Sequence, residues 1–191
     1  VGIDWSNPIT LGLLGVYSFS DSGAVEHISG VLYSSALKSH ATPMGVGAAK
    51  KTTSGINLAG KLQLTNNFSR VFVATPQTTG SGTISDSKAA GTGGAQLQIS
   101  ASAVNFNASN TAGYLTIPIS RTCCVGVGAS NTRQTGWRDG VLVATRSGSV
   151  SFTASGSGRL YERGDGSEDY DGSLVLHLDW GRVLSDPEFA S

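Results

Sequence analysis

Residues 163–172 read RGDGSEDYDG and set Asp165, Glu168, Asp169 and Asp171 close together. Carboxylate oxygens gathered in a loop can hold a hard cation such as calcium. The run lacks the ligand order of an EF-hand, and acidic Gly-rich turns are otherwise simply solvated. Tyr161 and Tyr170 flank it. An exposed ring beside carboxylate acceptors suits a pyranose, which makes Tyr161, Tyr170 and Asp169 the candidate carbohydrate contacts. The alternative is that both rings bury their area at the core or its rim. Trp5, Trp137, Trp180 and Tyr114 are the other rings that could stack on sugar, Trp180 being expected in the core.

Other chemistries find no footing. Glycoside hydrolysis needs two carboxylates across the scissile bond, whereas Glu26, Glu162, Glu168 and Glu188 are scattered. His27, His40 and His177 stand far apart, without Glu or Cys at zinc-ligand spacing. His177, on the face opposite the leucines of its strand, is expected to be exposed or satisfied by hydrogen bonds. No G-x-S-x-G elbow occurs, and the glycine runs lack the Lys and helix of a phosphate cradle. Cys123 and Cys124 are adjacent. A bond between neighbours closes a strained ring, and a strand points their side chains to opposite faces, so one buried and one outward thiol are expected. Such thiols fit assembly in a reducing compartment. The sequence therefore reads as non-enzymatic, with no cofactor beyond calcium at Asp165, Glu168, Asp169 and Asp171.

The elements that must carry these residues repeat with period two. SLVLHLDW (173–180) places Leu174, Leu176, Leu178 and Trp180 on one face and Val175, His177 and Asp179 on the other. TCCVGVGAS (122–130) aligns Cys123, Val125, Val127 and Ala129 against Cys124, Gly126 and Gly128. AQLQISAS, VFVA, VNFN, YLTIPI, VSFTAS and the opening LGLLGVYSFS read as further half-buried strands. Turn signals separate them, and the pair Asp139-Gly140 predicts a two-residue type I′ hairpin. Residues 39–55 are expected to form a long surface connection. At the end, LSDPEFAS offers Ser185 three residues before Glu188, or Asp186 with Pro187 next, as the cap of a short helix. Strands at this spacing, with no interleaved helical periods, indicate an antiparallel sandwich or jelly roll in one domain over residues 1–191.

Three segments resemble a known family. GWRDGVLVAT resembles the "YvDGvlv" hairpin of laminin-G-like, concanavalin A-like jelly rolls, and YDGSLVLHLDWGRVLSDPEFAS resembles their closing strand and "aLSdaEia" segment. IDWSNPITLGLLGVYSF looks like the start of the same domains in tailed-phage and prophage proteins. The resemblance implies an all-β, two-sheet concanavalin A-like jelly roll with a short C-terminal helical turn. It further implies a virion structural protein, a capsid decoration or tail protein, on the virion surface and assembled in the host cytoplasm.

Composition bears on partners. With 13 basic and 13 acidic residues the formal charge is zero, which argues against a nucleic-acid or membrane-surface binder. Only 14% of residues are charged, and so sparse a charge on an ordered surface fits one covered by partners. Other virion proteins and self-association are the expected partners. The second reading is a carbohydrate-binding adhesion module that recognises a cell-surface glycan. The chain opens on Val1 rather than Met, consistent with a trimmed start, and no run of apolar residues is long enough to span a membrane.

Overall fold

A computed structural model describes residues 3–34, 37–50, 55–58, 66–76, 80–86, 95–107, 115–148, 158–161 and 170–191. In chain order the first strands are β1 (Leu13–Ser20), β2 (Gly23–Glu26), β3 (Leu32–Ser34), β4 (Leu37–Thr42) and β5 (Gly45–Lys50). Next come β6 (Ile56–Asn57), β7 (Phe68–Ala74), β8 (Ser81–Asp86), β9 (Gln96–Ser100), β10 (Ala103–Asn107) and β11 (Leu115–Pro118). The last are β12 (Cys123–Ala129), β13 (Arg133–Arg138), β14 (Val141–Ser147), β15 (Arg159–Leu160) and β16 (Ser173–Trp180), followed by helix α1 (Asp186–Ala190).

Among the described residues the strands form two antiparallel sheets. One runs β14-β13-β12-β7-β16-β1-β2-β3, with the β4–β5 hairpin joined to the start of β16. The other runs β11-β10-β9-β8-β15-β6. Their inner faces pack together: Phe68 meets Phe106 edge-on at 5.8 Å between ring centroids. Gly136 lacks the Cβ that would lie 2.6 Å from Ile117 on the opposite sheet, so β11 can approach β13 there. Tyr17, Phe72, Val125 and Val127 from one layer and Ile84, Leu97, Ile99 and Val104 from the other are buried. Each such side chain is worth roughly 1.5–3 kcal/mol on burial. The expected two-sheet β-sandwich with a short C-terminal helix is the architecture observed.

Local expectations hold at the hairpin and the cap. Asp139 (φ 49°) and Gly140 (φ 79°) both take positive φ between Arg138 and Val141, as a type I′ turn requires. Ser185 is the N-cap of α1, and its N–H and hydroxyl both donate to Glu188 Oε2 at 2.8 Å. Cys123 is buried and Cys124 half-buried on the opposite face, both as free thiols.

Two expectations are corrected. Residues 39–55 do not form a plain connection, because β4 and β5 pair through residues 37–50. Their Gly and Ala residues gave too little apolar alternation to register. The second correction concerns β16. Leu174 pairs with Ala74 but Leu176 with Val73, so the register slips by one residue at Val175. Such a bulge inverts which parity faces inward. Leu176 and Leu178 therefore lie half-buried on the outer face, while His177 and Asp179 turn into the interior. The run VSFTAS (150–155) lies outside the described residues.

Candidate functional site

Tyr161 and Tyr170 are not exposed platforms. Both are fully buried, their rings stacked at 5.9 Å. The Tyr161 hydroxyl donates to Ala48 O and the Tyr170 hydroxyl to Thr75 O, each over 2.5 Å. Burial pushes both phenols above their ordinary pKa. A ring closed off on both faces cannot stack on a sugar, so Tyr161 and Tyr170 tie the sheets together instead. Asp165, Glu168 and Asp169 lie outside the described residues, and Asp171 is exposed. Trp180 is buried, its indole N–H donating to Ile9 O at 2.7 Å.

A cleft of about 600 Å³ opens elsewhere, between the β12–β13 turn and the start of α1. Ser130, Thr132, Thr135 and Ser185 bring hydroxyls to it, and Arg133 and Asp186 bring exposed charges of opposite sign. The turn that carries Ser130 is stiff, since its Oγ accepts from the N–H of Arg133 at 3.1 Å. The helix is seated by aromatic packing. Phe189 stacks on Trp137 at 5.0 Å and 12° over Gly126, where a Cβ would lie 2.8 Å from the Phe189 ring. Trp137, next to the hairpin, thus serves as the dock for the chain's last turn.

Arg182 fixes the wall of this cleft. Its guanidinium grips Glu188 as a fork, NH1 to Oε2 at 2.9 Å and NH2 to Oε1 at 2.5 Å. That grip, with the Ser185 N–H, pulls the Glu188 carboxyl down to about 2. Arg182 Nε meanwhile donates to Leu11 O at 2.6 Å. The same side chain therefore joins the cleft to the N-terminal segment that carries Trp5, whose ring is 58% exposed. Trp137 and Trp180 are buried, which leaves Trp5 as the tryptophan open to a ligand. Sequence reasoning reached the Ser185–Glu188 cap, named Trp5 among the rings and Asp186 only as an alternative cap, and did not reach Arg133 or Arg182. Nothing in a linear reading places residues 130–135 beside 182–188.

Beneath the sheet surface lies a charged set that shapes the fold. Arg70 Nε donates to Asp179 Oδ1, its NH1 to Ser85 Oγ at 2.8 Å, and His177 Nε2 pairs with Asp179 Oδ2 at 2.9 Å. Arg70, His177 and Asp179 are fully buried. Burial holds His177 below its usual pKa against the pull of Asp179. Burial would raise the Asp179 carboxyl, but the Arg70 charge and the hydrogen bonds from Arg70 and His177 keep it low. His177 is thus an interior histidine held through Nε2 by Asp179, its Nδ1 buried without a hydrogen-bond partner, and enclosed away from the cleft.

Comparison with family models and with curated proteins returns no match. Solved structures do match in shape. Domain 4 of AbnA, a GH43 extracellular arabinanase from Geobacillus stearothermophilus in complex with arabinotriose, superposes with a TM-score of 0.69 at 13% identity, over 93% of this chain and 96% of that one. Trypanosoma rangeli sialidase in complex with sialic acid gives 0.68 at 17% identity, and this chain spans 94% of itself but only 32% of the sialidase. The botulinum neurotoxin type G receptor binding domain gives 0.65 at 12% identity, covering 94% and 50%. The virion resemblance of the opening segment has no counterpart among these three. At such identities the likeness establishes a shared β-sandwich fold.

Proposed function

We propose that this chain is a non-catalytic carbohydrate-binding module that holds a neutral oligosaccharide in the cleft beside α1. The observation that carries the reading is the cleft's lining: hydroxyls of Thr132 and Ser185 with exposed Arg133 and Asp186. Two charges of each sign, counting the Arg182–Glu188 pair, cancel there. Donors and acceptors without net charge match a polyol better than an ionic ligand. Glu188 has no freedom to act as an acid or base, because Arg182 and Ser185 occupy its oxygens. The same fold holds arabinotriose in the arabinanase domain, which supports a saccharide ligand without placing it.

A glycan array with wild type and with the Arg133→Ala, Asp186→Ala pair tests this. Binding by wild type that the double variant loses, at unchanged thermal stability, is the expected result. Binding unaffected by the double variant would move the site elsewhere, and no binding at all would end the reading.

One observation favours assembly as a second reading. Val16, Val71, Leu176 and Leu178 lie half-buried on the outer face of the larger sheet, in register across three strands. If copies pack on that face, Leu178→Glu should turn an oligomer into a monomer in light scattering.

A further inference from the structure

At the other end of β12 from the cleft, a recess of about 160 Å³ is lined by Ser120, Arg121, Cys123, Arg138 and Asp139. Gly128 and Cys123 are five residues apart in one strand, so the two places are separated by roughly 17 Å. We propose that this recess binds a small oxyanion, the carboxylate, sulfate or phosphate group of a ligand, between the guanidinium groups of Arg121 and Arg138.

Arg138 is half-buried and positioned from behind. Its NH1 donates to Pro118 O at 2.8 Å, and its other N–H groups have no partner among the described residues. A guanidinium held by one corner presents the rest of its fork without much further ordering. Arg121 stands opposite, 79% exposed, and reaches Asp139 Oδ2 only at 3.4 Å. A well-made charge-assisted bond is about 2.7–2.9 Å. This exposed pair is therefore weak and readily exchanged for a better acceptor. Asp139 is itself engaged: its Oδ1 accepts from the Cys124 N–H at 3.0 Å, which holds the carboxylate at the hairpin rather than free in the recess. Cys123 adds no negative charge at neutral pH, since burial above all, then the Asp139 charge, pushes its thiol up to about 11. Two cations against one committed carboxylate leave the recess with net positive charge.

The test follows the arginine side-chain N–H signals in nitrogen-proton spectra at constant ionic strength. The titrants are inorganic phosphate, sulfate and glucuronate, with glucose as the neutral control. Saturable shifts at Arg121 and Arg138 are expected with the anions and not with glucose, and the tightest of the three identifies the source of the group. Arg121→Gln, at an exposed position that folding does not need, should weaken binding about tenfold. Arg138→Gln should do the same, and thermal melting separates any loss of fold. Asp139→Asn is the decisive variant. It keeps a residue suited to positive φ and the Cys124 contact, yet frees Arg121, so affinity should rise about fivefold. Absence of saturable shifts, or affinities that ignore both the Arg121 and Asp139 changes, overturns the proposal. None of these probes needs the cleft beside α1, so the result is independent of the glycan reading.

Discussion

Arg70 Nε donates to Asp179 Oδ1 over 2.6 Å, and neither side chain is exposed. The pair joins β7 to β16 in the interior, where desolvation offsets much of the Coulomb attraction. Its presence matters most when one partner is removed. Asp179→Ala should leave the Arg70 charge buried without a counterion and cost about 3–5 kcal/mol. Replacing both, Arg70→Met with Asp179→Leu, should recover a large part of that loss. Urea unfolding of the three proteins checks this, and a single variant as stable as wild type would show that water already compensates Arg70.

His177 gives the domain a pH dependence whose sign is fixed. Asp179 and Arg70 face its ring, and Tyr17 packs edge-on at 5.8 Å. Because burial lowers its folded pKa, the unfolded chain binds a proton near pH 6.5 that the native state refuses. Stability is thus full above about 6.5 and falls as the pH drops below it, by at most about 1.4 kcal/mol per pH unit. Asp179, with its folded pKa lowered, adds a second loss in the same direction below about 3.8. His177→Gln keeps a donor for Asp179 and should flatten the first slope. Equal urea midpoints for wild type at roughly pH 7.5 and 5 would refute the neutral buried ring.

Gly140 tests the hairpin. At φ 79° a β-branched side chain is strained, although a Cβ there meets only the Ala190 backbone at 3.5 Å. Gly140→Val should therefore cost about 1–3 kcal/mol through backbone strain rather than crowding. A melting temperature equal to wild type would exclude the type I′ geometry. Gly140→Asn, which tolerates positive φ, should lose far less.

What could be read from the chain divides along physical lines. Local signals came through: the Asp139-Gly140 turn, the Ser185 cap and the Cys123–Ala129 alternation each depend on neighbours in sequence. The inward face of β16 did not, because the bulge at Val175 is set by pairing with β7 and leaves no mark on its own residue pattern. The burial of Tyr161 and Tyr170 escaped for a related reason. Their hydroxyls find carbonyls at Ala48 and Thr75, more than 90 residues away, so two polar-tipped rings could enter the core. The cleft and the arginine recess likewise join segments that only the folded sheets bring together.

Arg182 sets the last expectation, since charge alone cannot do what its shape does. Four of its contacts use the planar fork: two to Glu188, one to Leu11 O and one to Ile9 O at 3.5 Å. An ammonium is a single point donor and cannot hold a carboxylate in bidentate fashion while also reaching the N-terminal segment. Arg182→Lys should therefore keep the local charge yet loosen α1 and the Trp5 segment together. Glu188 reports the change: its low pKa depends first on the Arg182 bonds, so the pair stabilises the helix above about 4.5 and loses that contribution as the pH falls towards about 2. In the Lys variant the Glu188 carboxyl should titrate closer to its ordinary range. If the cleft binds a saccharide, affinity should fall severalfold in Arg182→Lys, because the wall that Arg182 and Glu188 build together loosens. Carboxyl titration by carbon-13 spectra, run beside the binding measurement, separates the outcomes. A raised Glu188 pKa with unchanged affinity places the ligand away from α1, whereas an unchanged Glu188 pKa means the fork is not what holds the helix.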